Sequence, residues 1–98
     1  MTLFHIGNRY FVEFLGTMFL VFTILATNNF LAIGSALAII VFLGGPVSGG
    51  AFNPAVVFAL YAAQKIHRSD LVPYILAEVL GALTGFEIYK RFVSGKKE

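Results

Sequence analysis

Cysteine is absent from these 98 residues, which removes disulfides, thiolate nucleophiles and zinc-thiolate sites and leaves the redox compartment unmarked. Charge is almost as scarce. Only 12% of the residues are charged, where a soluble domain carries about 25%, and no Asp, Glu, Lys, Arg or His occurs between Phe14 and Gln64. A soluble fold this small has to cover its surface with polar groups, so the gap argues strongly against a soluble monomer. What fills it is apolar: 58% of the chain is hydrophobic. At about 20 residues per crossing of a ~30 Å hydrocarbon core, the length accommodates one unit of about three spans and not a pore enclosed by one chain. The stretch Phe14 to Ala26 does not read as a removable signal peptide, because Glu13 stands at its edge, its phenylalanines are bulky and further apolar segments follow. The net charge of +2 collects at the chain ends and in one loop. There it suits anchoring at lipid head groups better than nucleic acid, which is no expected partner.

The pattern predicts an all-α membrane protein made of one unit over residues 1–98. Spans are expected at about 10–27, 30–45 and 71–90, with Thr27-Asn28-Asn29 punctuating the first two. Gly34, Ser35, Ala36 and Ala38 in the second span, and Gly81 and Gly85 in the third, are small residues that let helix backbones approach in lipid. The segment Gly44-Gly45-Pro46 through Gly49-Gly50 reads as turn chemistry that breaks a helix. Asn53-Pro54-Ala55 opens a further run to about Lys65, with Asn as N-cap and Pro at the first helical position. At roughly 18 Å that run is half a membrane thick, too short to cross and too apolar for water. Residues 46–66 therefore read as a re-entrant loop and half-helix whose irregular backbone faces protein or a water-filled cavity.

Ser48-Gly49-Gly50-Ala51-Phe52-Asn53-Pro54-Ala55-Val56 closely resembles the signature loop of the aquaporin and glycerol-facilitator family, the major intrinsic proteins. Glu13-Phe14-Leu15-Gly16-Thr17 resembles that family's first-helix motif, Ala32-Ile33-Gly34 is similar to the start of its second helix, and Ala77-Glu78-Val79-Leu80-Gly81-Ala82 resembles its third. The full channel of the family contains two such units, inverted relative to each other, and this chain resembles the first. The resemblance implies an integral protein of a plasma or cell inner membrane that passes water or small neutral solutes such as glycerol.

The loop's chemistry agrees. A half-helix ending at the midplane presents unpaired N–H groups and about half a positive charge, which disfavours cations. The Asn53 amide adds a donor for a passing solute, and the Gly49, Gly50 and Ala51 carbonyls are candidate acceptors along the approach. The plainer alternative is that Asn53 only caps a structural helix. Ile33, Gly50 and Val56 are the filter candidates by the same resemblance. Val56 stands where the family's second unit has an Arg, and Ala51 where its first unit often has His. Such a mouth is apolar, without a fixed cation. Glu13 is expected, by the resemblance, to accept hydrogen bonds from loop N–H groups. Glu78 replaces the family's usual Gln and reads as a second loop brace.

One unit leaves the half-helix donors facing lipid, so a second, inverted unit is needed. It would be an inverted copy, giving an antiparallel homodimer and possibly a higher oligomer, or a complementary half-channel. Arg9, Lys65 and Arg68 fall on one side of this topology and Lys90, Arg91, Lys96 and Lys97 on the other. That near balance of Lys and Arg permits insertion either way. A remnant fragment of a full-length channel, or a non-conducting scaffold subunit, is the competing reading. His5 and His67 read as interfacial side chains without metal-ligand spacing. No cofactor fingerprint or catalytic set is visible, so no enzyme is expected.

Overall fold

The computed structural model describes residues 3–94, with side chains from Gly7 onward. Four helices follow one another: α1 (Leu3–Thr27), α2 (Phe30–Ser48), α3 (Pro54–Ala62) and α4 (Leu71–Tyr89). A 3₁₀ turn, Arg68–Asp70, leads into α4, and a π turn, Lys90–Ser94, continues it. Among the described residues all regular structure is helical. Three stretches are long and apolar enough to cross a bilayer: Gly7–Thr27, Phe30–Ser48 and Arg68–Ser94. The molecule measures 42 × 26 × 21 Å, and its long axis matches the ~40–45 Å of a bilayer with head groups.

Local signals set the helix ends. Asn28 adopts a left-handed conformation at φ 45°, which ends α1. Asn29 then caps α2, its Oδ1 accepting the Ala32 N–H at 3.0 Å. The Thr23 and Thr27 hydroxyls donate to the carbonyls one turn back at 2.8 Å, so neither asks for water.

The break expected at Gly44-Gly45-Pro46 does not occur. Helix α2 runs through all three residues to Ser48 and ends at Gly49, whose φ of 91° suits glycine and whose N–H returns to the Gly45 carbonyl at 2.8 Å. Packing overrides propensity here. Ala36, Ile40, Gly44 and Ser48 form a buried stripe at four-residue spacing. A Cβ on Gly44 would come within 2.7 Å of Val12 and 3.1 Å of Phe52, so this glycine serves close approach rather than a turn. Pro46 removes one backbone hydrogen bond in the last turn without stopping the helix.

Helix α1 is flanked by α2 and α4, and α3 packs on α4. The α1–α4 contact is close because Gly81 and Gly85 face the backbone of α1. A Cβ on Gly81 would run into the Phe14 carbonyl oxygen, and one on Gly85 would lie 2.6 Å from that of Met18. Four residues separate each pair, so the two helices touch once per turn along a small-residue seam. Phe30, Phe42 and Leu43 on α2 and Leu83 on α4 point outward, an apolar exterior that lipid or another protein can cover.

Candidate functional site

The five residues between α2 and α3 are held from α1. Glu13 is fully buried. Its Oε1 accepts the Phe52 N–H at 2.8 Å and its Oε2 accepts the Ser48 hydroxyl at 2.6 Å. The expected set of backbone donors is thus one N–H and one hydroxyl, because Ser48 still lies in α2 and offers only its side chain. Ser48 Oγ in turn accepts the Gly50 N–H at 3.2 Å, so the second loop amide reaches Glu13 through the serine.

Phe52 is the residue the clamp fixes. Its φ of 52° is a left-handed conformation that costs a bulky residue of the order of 1–3 kcal/mol. Three features hold it there. Glu13 takes its N–H, Thr17 Oγ1 donates to its carbonyl at 3.4 Å, and its ring, 3% exposed, fills the space left by the missing side chains of Gly16 and Gly44. Its place directly before Asn53 sets Phe52 apart in the sequence but does not announce a strained backbone. The readable trace is the pair of glycines on different helices that it occupies.

With Phe52 fixed, Asn53 is delivered to the start of α3. Its Oδ1 accepts the Ala55 N–H at 2.7 Å and its carbonyl accepts that of Val57 at 3.0 Å. The cap therefore exists and leaves the side-chain NH2 as a donor for another molecule. Asn53, Pro54 and Ala55 are all exposed. The hydroxyl that binds Phe52 belongs to Thr17, the central residue of the apolar stretch Gly7–Thr27. Helix α3 spans nine residues, about 14 Å, and ends at Ala62 rather than near Lys65, where Gln64 turns to φ 64°.

A second anchor, unforeseen from the sequence, lies under the loop. Tyr74 of α4 is fully buried and donates its hydroxyl to the Ser48 carbonyl at 2.8 Å. Its ring meets Tyr10 edge to face at 5.5 Å between centroids. Tyr10 donates to Asp70 at 2.9 Å, and Asp70 also accepts both Arg9 guanidinium nitrogens, at 3.1 and 3.3 Å, and the His67 N–H at 3.1 Å. Asp70 is 2% exposed. A buried carboxylate with four donors, two of them from a bidentate arginine, is a strong fixture. It ties the start of α1 to the turn before α4. Asp70 is one of only five acids in the chain, and that rarity was the available signal.

Glu78, 1% exposed, lies beside the Glu13 carboxyl and the Asn53 backbone. No donor meets either of its oxygens in full hydrogen-bond geometry among the described residues, with the Asn53 backbone N–H lying beside them. It lines a cavity of about 270 Å³ together with Thr17, Phe52, Asn53 and Pro54.

The remaining candidates are dispersed. Gly49 is exposed, Gly50 half-buried and Ala51 buried against Val57 and Tyr74. Val56 is partly exposed on the first turn of α3. Ile33 sits in the first turn of α2, eleven positions before Gly44 and so about 17 Å along the helix from it. Ile33, Gly50 and Val56 therefore form no single constriction within one chain. His67 is exposed at the cap of the 3₁₀ turn, while the His5 side chain, Lys96 and Lys97 lie outside the described residues. Lys90 and Arg91 pair with Glu87 at 3.4 and 3.5 Å. Among the described residues no cluster of three or more His, Cys, Asp or Glu could hold a metal.

Residues 8–98 match the family model described as major intrinsic protein. The chain is 38% identical to the glycerol uptake facilitator protein-like 6 of Lactiplantibacillus plantarum, over 89% of this chain and 44% of that protein. It is also 38% identical to aquaporin Z of Brucella melitensis, over 91% of this chain and 46% of that protein. The chain thus spans about half the length of the curated relatives it matches.

Proposed function

This chain belongs to the major intrinsic protein family, whose members are membrane channels rather than enzymes, and on that footing we propose that it is one half of a passive passage for water or small neutral solutes. Helix α3 enters the bilayer from one side, opens at mid-depth and does not cross. The observation that carries this reading is the Thr17–Phe52 hydrogen bond, which ties the residue before Asn53 to the middle of an apolar 21-residue stretch. Asn53 then offers its NH2 group, and the first amides of α3 add their positive end, where a neutral solute with an oxygen lone pair is favoured and a cation is not. The carbonyls of Gly49, Gly50 and Ala51 serve as acceptors on the approach. Glu13 acts as the loop brace.

The second half is an inverted copy of the unit. Asn53, Pro54, Ala55 and Phe58 are exposed in one chain, and at mid-depth their polar backbone needs protein or water around it. Two α3 helices meeting end to end supply that cover. They also bring two asparagines to one passage, with Val56 beside them on the first turn of each α3 and Ile33 of the two units toward its mouths. The near equality of Lys and Arg on the two sides permits the two orientations.

The test is osmotic swelling of vesicles carrying the purified protein, under sucrose and under glycerol gradients. Shrinkage or re-swelling faster than in empty vesicles supports the passage, and rates equal to theirs favour a non-conducting scaffold. Tags on both termini distinguish the assembly: each terminus reachable from both faces supports the inverted copy, and each from one face only points to a complementary unit.

A further inference from the structure

Two buried carboxyls sit side by side in this unit, and the conduit as described uses only one. Glu13 is well supplied, with one donor on each oxygen. Glu78 has no donor in full hydrogen-bond geometry on either oxygen among the described residues, only the Asn53 backbone N–H beside it, although it is among the most deeply buried side chains in the molecule. We infer that Glu13 and Glu78 hold one proton between them, and that through it Glu78 is the positioning residue that fastens α4 to the clamp beneath Asn53.

The surroundings leave few alternatives. An ionised carboxylate buried among apolar groups needs a cation or several donors, and a second carboxylate beside it makes the requirement worse. Among the described residues no cation faces Glu78, and the Asn53 backbone N–H beside it is a single donor. Helices α2 and α3 contain no charged residue. On α1 the nearest acid is Glu13 itself, and Arg9 is engaged with Asp70. On α4 the nearest titratable neighbour toward the N-terminus is Tyr74, whose hydroxyl donates to Ser48, and Glu87, toward the C-terminus, pairs with Lys90 and Arg91. A proton on Glu78 resolves the conflict. It makes that carboxyl a donor, and the Glu13 carboxylate beside it is the natural acceptor, since each of its oxygens has a lone pair left after accepting one bond. The resulting bond is charge-assisted and links the third crossing helix to the group that holds Phe52 in its strained conformation. When the proton leaves, through the water that the adjoining cavity admits next to Asn53, two like charges face each other across the α1–α4 seam and the clamp loosens. A glutamine at this position would make the same bond without a proton to lose.

This inference rests on the conduit reading, because it assigns the proton to the hold on the loop that presents Asn53, and the experiment separates the two. Full-length protein in vesicles is assayed for osmotic swelling as pH is raised from ~5 to ~9, alongside Glu78→Gln, and the infrared carbonyl band of a protonated carboxyl is followed in the same samples. The wild type is expected to lose flux at the alkaline end, by about tenfold per pH unit once the proton begins to leave. The band should fade in parallel. Glu78→Gln is expected to lack the band and to hold its acid-side flux throughout. Equal pH profiles for the wild type and Glu78→Gln would overturn the inference, as would a wild type with no protonated-carboxyl band at any pH. If Glu78→Gln fails to insert, the wild-type band and its loss with pH decide alone. A titrating band in vesicles that never swell would leave the shared proton standing and remove the conduit.

Discussion

Replacing Glu13 with alanine removes the acceptor of two buried donors at once, and its cost follows from the geometry. Hydrogen bonds to a charged group are each worth about 1.5–3 kcal/mol, and a buried donor left unmade costs about 1–3 kcal/mol. Against this, the variant no longer buries a charge, which offsets part of the loss. The Ser48 hydroxyl can turn to the Gly44 carbonyl, 3.3 Å away. The Phe52 N–H has no such substitute, and Phe52 keeps the strain of its left-handed backbone. A net local penalty of about 3 kcal/mol is therefore expected at the loop, while the close α1–α4 approach that Gly81 and Gly85 build stays intact. Amide hydrogen exchange over residues 48–54 reads this directly, because about 3 kcal/mol is roughly a hundredfold loss of protection when opening is local. Glu13→Gln retains one acceptor for Phe52 and an amide that can donate to Ser48 Oγ, so its loss of protection should be no more than about tenfold, or ~1.4 kcal/mol. Protection in Glu13→Ala equal to wild type, or lower protection in Glu13→Gln than in Glu13→Ala, would refute the clamp.

Three further outcomes test other parts of the structure. Gly81→Ala puts a methyl group against the Phe14 carbonyl; backbone cannot give way as a flexible side chain can, so a loss of about 1–3 kcal/mol is expected as easier unfolding in a detergent and SDS titration, and an unchanged midpoint would contradict the close seam. Asp70→Ala strips the Arg9 guanidinium of its carboxylate partner, and about 3–5 kcal/mol should appear in the same titration; Asp70→Asn should recover little, since it restores one acceptor oxygen, sets an NH2 donor where the other stood and lacks the charge. Asn53→Asp places a carboxylate beside the first amides of α3, so swelling with neutral solutes should fall and cation leak should rise in vesicles; identical flux would mean that Asn53 only caps the helix.

The parts of this fold that were legible in the sequence are those that depend on near neighbours. The three long apolar runs, the break at Thr27-Asn28-Asn29, the Asn53 cap, Pro54 at the first position of α3 and the Gly81–Gly85 face all follow from spacings of one to four residues, which helix geometry fixes in advance. Helix α2 outlasts its glycines and proline for the opposite reason: Val12 and Phe52, distant in sequence, press on Gly44 and hold the last turn. The anchors beneath the loop join Tyr74 to Ser48, Thr17 to Phe52 and Arg9 to Asp70. Such pairings depend on how helices cross, which periodicity does not encode. Glu78 was visible as an acid in an apolar run, but its lack of a facing cation among the described residues is a property of the assembled seam.

The absence of cysteine makes the central claim easy to test, because a single cysteine introduced at exposed Ala55 is the only site a thiol-reactive spin label can take. In a bilayer with a ~30 Å hydrocarbon core, the label's relative exposure to oxygen and to a water-soluble nickel chelate reports its depth. A position near the midplane, ~15 Å from either head-group region, is the result predicted by an α3 that opens inside the membrane. A label at head-group depth would contradict it.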